Sequence, residues 1–413
     1  MGNANVSKGT QALRVWVPYA VTAVAVLLAW EVVKTPVAMR APPEFGLRLS
    51  PGSPEILAKA AEALLVTGDV DGSITLSDAA LAKAPFNVRA LRVRGLAASS
   101  NGQVNQADEI LTLAGNWSLR DDPSHTWLIQ QRLRQGNYAS AFAHAETLVR
   151  RRPDLYDRTF RLFTTAAKLD TRAAPILANL LATRPPWRAS YLQSLYNDEG
   201  MPVLISLGIL LQNTEAPLTD AELRDIYQVL LRQSRLPALR YLRAHLRRPA
   251  LQPFVDNGRF AAPLSTALQP FGWSLATGPG IELLVSEDEV SDDNLALRAS
   301  YRALAPATMV SQLMTLSSGA YLFSLRERVP AAAEGARFEW RVVCLESNRE
   351  ILRHTTDLGN SSQDTWRSAS IAMSVPSEDC QTQQLLLDAR PADFRTSMSA
   401  WYDDIEIIGA PGA

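Results

Sequence analysis

Residues 54–73 read PEILAKAAEALLVTGDVDGS, an apolar helical run broken at Gly68-Asp69 and resumed after it. The same break returns at Gly102-Gln103, Gly136-Asn137 and Asp170-Thr171, always after 34 residues. Ser73, Ala107 and Ala141 share one offset in this frame, and Ala80, Ala114 and Leu148 share another. Small residues there let helix axes approach closely. Pro85 and Pro153 stand two periods apart and close the first and third units, since proline cannot continue a helix. A glycine between paired helices and a proline after the second, at this period, is the spacing of helix–turn–helix solenoids.

On these residues the stretch 54–187 resembles the tetratricopeptide repeat (TPR) family over four units. Leu119 stands where that pattern has proline, and Ile129 where it has a small residue. The resemblance implies an all-α solenoid that binds protein partners and performs no chemistry, because each repeat touches only its neighbours and presents a concave surface. It also implies that the first helix of each pair lines the groove, which brings Arg89, Arg92, Gln130 and Arg134 to that side. Such a basic groove suits an acidic peptide tail or an anionic polymer; an ordinary solvated helix face is the alternative.

The 413 residues allow two or three domains. With 41 basic against 42 acidic side chains, and no basic stripe interleaved with aromatics, nucleic acid is not an expected partner. Residues 15–33, VWVPYAVTAVAVLLAWEVV, carry Glu31 as their one charge and place Trp16, Tyr19 and Trp30 near the ends. That length crosses a hydrocarbon core of about 30 Å, and such rings prefer its edges. The following Pro36-Val37-Ala38-Met39-Arg40-Ala41 makes a poor cleavage site, so an uncleaved anchor is read in preference to a removed signal peptide. Lys8 and Arg14 before the span are matched by Lys34, Arg40 and Arg48 after it. Orientation therefore rests on the acid-free tail 1–14 and the downstream cysteines, which put the tail in the cytoplasm and the bulk in the periplasm beyond the inner membrane. Pro36, Pro42, Pro43 and Pro51 mark 34–53 as a spacer.

After Pro185-Pro186 the period is lost while helical patterning continues. Thr219 to Glu222 makes a capping box, and Val203 to Leu211 is apolar all round, so 188–250 reads as degenerate helices capping the solenoid, with 251–267 a linker. From 268 to 413 the pattern turns to alternation, clearest in Phe338, Trp340, Val342 and Cys344, with similar runs at Ile281–Ser286, Leu295–Tyr301, Tyr321–Arg328, Gln384–Asp388 and Trp401–Ile408. Cys344 and Cys380 lie too far apart for a CxxC motif; they form either a disulfide, favoured by export, or two buried thiols.

The elements FGW (271–273), GAYLFSLRER (319–328), FEWRVVC (338–344), VPSEDCQTQQLLL (375–387) and AWYDDIEI (400–407) resemble the jelly-roll sandwich of carbohydrate-binding modules and their bacterial envelope relatives. The expected architecture is therefore multidomain: a transmembrane helix, an all-α TPR-like solenoid and an all-β jelly-roll sandwich. In such sandwiches an aspartate of the last strand often ligates a structural calcium. Asp403, read as sharing an inward face with Trp401, Ile405 and Ile407, is the residue for it; a hydrogen-bonded structural aspartate is the alternative, and no other cofactor is expected. Tyr321, Phe323, Trp340, Trp366 and Trp401 suggest a sugar platform, with Trp340 read as core and Trp366, beside Asp364 and Arg367, as the glycan contact.

No catalytic set accompanies these features. His125, His144, His245 and His354 are scattered without HExxH spacing, and no nucleophile elbow occurs. Asp403 and Asp404, as adjacent strand residues, cannot flank one glycosidic bond. The expected function is a non-catalytic, membrane-anchored periplasmic scaffold that binds envelope proteins through its groove in assembly or export of a cell-surface polysaccharide, with the polysaccharide itself a second expected partner. The alternative is a glycan-active enzyme or sugar-binding protein working through the sandwich.

Overall fold

The computed structural model describes residues 6–246, 254–264, 269–287, 295–330, 334–358, 364–392 and 397–410. Two compact units form, one running to Leu180 with Pro185–Trp187, the other taking Leu181–Arg184 and the chain from Arg188 onward.

The first unit opens with α1 (Val6–Arg40), whose stretch Val21–Arg40 is long and apolar enough to cross a membrane. The residues expected to form a spacer do not hang free. The helix continues through Pro36 to Arg40, and α2 (Pro43–Leu49) then folds back. A Cβ on Gly46 would stand 2.9 Å from the Ala38 carbonyl, so only glycine lets the two helices meet there. Leu47 packs on Leu57, Ala58, Ala80 and Ala90, and the Lys59 ammonium donates to the carbonyls of Met39 (2.6 Å) and Ala41 (2.7 Å). Pro43, at the start of α2, gives up only a donor that the first helical turn leaves unpaired anyway.

Four helix pairs follow: α3 (Pro54–Thr67) and α4 (Val70–Lys83), α5 (Val88–Ser100) and α6 (Val104–Trp117), α7 (Asp122–Arg134) and α8 (Tyr138–Val149), α9 (Tyr156–Leu169) and α10 (Ala173–Ala182). The first helices start at 54, 88, 122 and 156, a constant step of 34. Gly68, Gly102 and Gly136 adopt φ of +88°, +75° and +68°. Each closes the same motif: Gly102 N–H donates to Ser99 O and Gln103 N–H to Ala98 O, which satisfies the last carbonyls of the helix. At the fourth turn Asp170 replaces glycine by another device, its carboxylate accepting from Arg172 N–H and the Tyr138 hydroxyl. Ala80, Ala107, Ala114 and Ala141 are fully buried, the close crossing that their size allows.

The second unit contains α11 (Arg188–Ser194), α12 (Met201–Leu211), α13 (Asp220–Arg232) and α14 (Leu236–His245), and the capping box at Thr219 and Glu222 is formed. Arg188, 5% exposed, grips Glu222 with two bonds of 2.8 Å and donates to the carbonyls of Leu181, Ala216 and Pro217. Two of these helices, α13 and α14, touch the sandwich. The Arg243 guanidinium lies 3.7 Å over the Phe271 ring, Tyr227 meets the same ring edge-on, and Arg240 bonds Glu346 (2.6 Å), Gln381 and Thr382. Helical patterning reports an apolar face but not what covers it.

The sandwich has β1 (Ser274–Leu275), β2 (Ile281–Glu287), β3 (Leu295–Tyr301), β4 (Ala307–Met314), β5 (Gly319–Arg328), β6 (Arg337–Cys344), β7 (Arg349–Asp357), β8 (Arg367–Val375), β9 (Gln383–Arg390) and β10 (Met398–Gly409). They pair antiparallel as β1-β4-β9-β6-β7 and β2-β3-β10-β5-β8. Trp340, fully buried, sits at the centre with Tyr402, Trp273 and Phe323 rings around it. Cys344 and Cys380 are joined, with Cα atoms 4.7 Å apart and a separation of 36 positions in sequence, so the thiol alternative is set aside.

Candidate functional site

The polar residues of the solenoid are largely spent on joining repeats. Arg92, on α5, reaches Glu62 of the preceding unit and Asp121 of the following one, each at 2.5 Å. Arg89 stands 3.4 Å from the same Glu62. Arg132 bridges back to Asp108 at 2.6 Å, which holds that carboxyl below its ordinary range, and Trp127 donates to the Ser99 hydroxyl. Two of the arginines assigned to a basic groove are thus neutralised within the fold. Asp121 and Glu62 carry no helical signature that a sequence reading would connect to Arg92.

Gln130 and Arg134 are exposed on α7. Gln130 borders a hollow of about 200 Å³ between α7, α8, α9 and the short 3-10 turn Pro153–Leu155. Its floor is Ile129, Ala145, Leu148, Leu155 and Leu162; its rim is Thr126, Gln130, Arg158 and Thr159. Arg158 is exposed and makes no ion pair among the described residues. Small-molecule sites usually enclose at least about 300 Å³. The hollow is sized instead for one or two aliphatic side chains, with a cation at its edge. Arg158 and Leu162 were absent from the sequence reading, yet the rule that first helices line the groove, applied to the fourth unit, points to α9.

His125 and His144, seemingly unrelated in sequence, meet across α7 and α8 with Nδ1 atoms 3.1 Å apart, one ring donating and the other accepting. Burial lowers the pKa of both, and the neighbouring His125 helps bring His144 down to about 4. Among the described residues no group of three or more His, Cys, Asp or Glu side chains converges as a metal site.

In the sandwich, Tyr321, Phe323 and Trp340 belong to the core and cannot form a sugar platform. Trp366 is half-buried, with the Arg326 guanidinium 5.0 Å from its ring. Trp401 lies between the guanidiniums of Arg298 (5.8 Å) and Arg328 (5.6 Å). Asp403 corrects the strand reading. A bulge between Asp403 and Glu406 breaks the alternation, so Trp401 and Asp403 pair with Arg328 and Arg326 on the outer face while Ile407 pairs with Phe323 inside. Asp403 is 1% exposed there, and Asp404, at φ +49°, stands 3.2 Å from Arg259 and 3.6 Å from Arg326. Asp404 borders an open hollow of about 420 Å³ with Asn257, Gly258, Arg259 and Glu406. Arg259 and Arg326 thus face the Asp404 carboxylate from two elements.

The facing carboxylate pair that a glycosidase would need does occur elsewhere. Glu339 and Asp388 are Cα partners across β6 and β9, each largely buried. Arg337 and Arg390 bind Glu339, and Arg341 and Arg390 bind Asp388. Burial pushes the Glu339 pKa up, but hydrogen bonds from Arg337 and Arg390 outweigh it and leave the group below its usual range. A general acid requires the opposite shift.

No family model matches the chain, and no curated protein matches it. Among solved structures, "CBM4 structure and function" is similar at 14% identity over 38% of this chain and 99% of that one, with a TM-score of 0.28. The xylan-binding CBM22-1 domain from Paenibacillus barcinonensis Xyn10C is similar at 14% identity over 34% and 88%, with a TM-score of 0.26. YrrB, described as a TPR protein with an unusual peptide-binding site, is similar at 12% identity over 50% and 91%, with a TM-score of 0.25.

Proposed function

We propose that this chain is a non-catalytic scaffold, anchored in the inner membrane, that holds an extended segment of an envelope protein against its solenoid during assembly or export of a cell-surface polysaccharide. The observation that carries the reading is the hollow between α7 and α9. It offers an apolar floor for an aliphatic anchor, Gln130 for a backbone amide and Arg158 for an acidic neighbour. The polysaccharide setting is an analogy drawn from the sandwich and rests on no single residue. Periplasmic placement is supported by the joined cysteines, since disulfides persist in oxidising compartments.

A photo-crosslinking residue at Gln130 in living cells tests the groove. A protein adduct that forms there, is absent with the crosslinker at exposed Val66, and disappears with Leu162→Glu is expected. No adduct at Gln130 refutes the proposal. The alternative, a sugar-binding or glycan-active sandwich, is favoured by the Trp366–Arg326 pair at the surface. Glycan binding lost with Trp366→Ala would support it, and new reducing ends that vanish with Asp403→Asn would make the domain an enzyme.

A further inference from the structure

We propose that the first repeat rests directly on the membrane through α2, with Phe45 and Arg48 brought to the level of anionic phospholipid headgroups and the Arg40 side chain reaching back to them from just outside. The proposal rests on reading α1 as an uncleaved span. Although α1 stays helical and apolar enough to span as far as Arg40, its apolar run ends at Val33, before Lys34, and Ala38, five residues on, is already fully buried in the protein and so lies outside the bilayer. At about 1.5 Å per residue Ala38 stands roughly 7–8 Å beyond the hydrocarbon edge. The headgroup layer is about 5–7 Å deep on each side. No tether therefore separates repeat and bilayer. The junction is also held tightly: Lys59 bonds the carbonyls of Met39 and Ala41, and Gly46 abuts Ala38.

Because Gly46 returns beside Ala38, α2 runs back toward the span and carries its outer residues to headgroup level. Phe45 is 52% exposed and shares the short helix with Arg48, an apolar ring beside a cation as interfacial helices carry them. Arg40 and Arg48 are exposed and make no ion pair among the described residues. Lys34, Arg40, Glu44 and Arg48 sum to a charge of +2 across 34–53, which complements an anionic lipid surface. Glu44 is the opposing charge on α2.

Both cysteines are bonded to each other, so a single introduced cysteine can be spin-labelled in the full chain. The chain is reconstituted in zwitterionic vesicles and in vesicles containing phosphatidylglycerol. Labels are placed at Val24→Cys, Phe45→Cys and Val66→Cys, and collisions with oxygen and with a water-soluble nickel chelate report depth. Position 24 should read as hydrocarbon, 66 as water and 45 between them, deeper with phosphatidylglycerol than without. Adding Arg40→Glu and Arg48→Glu should move label 45 outward while label 66 keeps its mobility. If 24 does not read as hydrocarbon, the span fails and the proposal with it. If 24 is in hydrocarbon but 45 matches 66, the span stands and the membrane seat is refuted. Equal depth at 45 in both vesicles overturns the anionic assignment.

Discussion

Replacing Arg92 by methionine separates a structural cation from a groove cation. Its guanidinium joins three repeats, and the side chains involved are 14% exposed for Arg92, 2% for Asp121 and 38% for Glu62. Losing the contact to Glu62 matters little, because partly exposed pairs contribute about 0–1 kcal/mol. Asp121 is different: removing one partner of a buried pair strands a charge and costs about 3–5 kcal/mol. The Ser124 hydroxyl still donates to Asp121, so the lower figure of about 3 kcal/mol is expected. A unit of this size loses about 2–4 °C per kcal/mol, which predicts a drop of roughly 6–12 °C in its melting transition. The assay is calorimetry of the detergent-solubilised chain with Arg92→Met, Asp121→Asn and the double variant, completing a cycle whose coupling should reach about 1–3 kcal/mol. An unchanged transition with no coupling would refute the buried tie and return Arg92 to the groove. At temperatures where the variant is folded, partner binding should survive, whereas Arg158→Glu should abolish it without a shift in melting.

The histidine pair predicts acid sensitivity. Folded-state pKa values of His125 and His144 lie below the ordinary 6.5, so their contribution is complete above that pH and is lost as pH falls toward about 4. Discounted for partial exposure, His144 should contribute about 1–2 kcal/mol of this loss, visible as a gap between wild type and His144→Gln that narrows from pH 7 to pH 5; parallel curves would disprove it. Reducing Cys344–Cys380, which closes 36 residues, should destabilise the second unit by about 3–4 kcal/mol on the chain-entropy account, read as an earlier urea midpoint; no change would refute a stabilising role. Gly102→Val tests the turn: a Cβ there meets nothing within 4 Å, so any loss comes from the backbone at φ +75°. It should exceed the roughly 1 kcal/mol of ordinary helix-propensity differences and show as a lower melting temperature; an unaltered transition would deny the left-handed cap.

The sequence alone determined what is periodic or local. The 34-residue frame, the three left-handed glycine turns, the Thr219–Glu222 cap and the strands of clearest alternation depend on neighbours a few positions away, where helical and pleated geometry impose themselves. β4, β7 and β8 escaped it: REILRHTTD alternates weakly, whereas RSASIAMSV does alternate, with Ala369, Ile371, Met373 and Val375 on its more buried face, but its inward residues are small or interrupted by serines and give a faint apolar signal. Only the tertiary structure decided which long-range partners meet. It spent Arg92 on Glu62 and Asp121, set Glu339 opposite Asp388 among arginines, and joined His125 to His144. It turned Asp403 outward through a bulge, because one inserted residue reverses every side chain beyond it. It also folded a proline-rich stretch onto the first repeat and brought α13 and α14 against the sandwich. An apolar face or a charge is written in the chain; the surface that covers it is chosen by packing among elements tens to hundreds of residues apart.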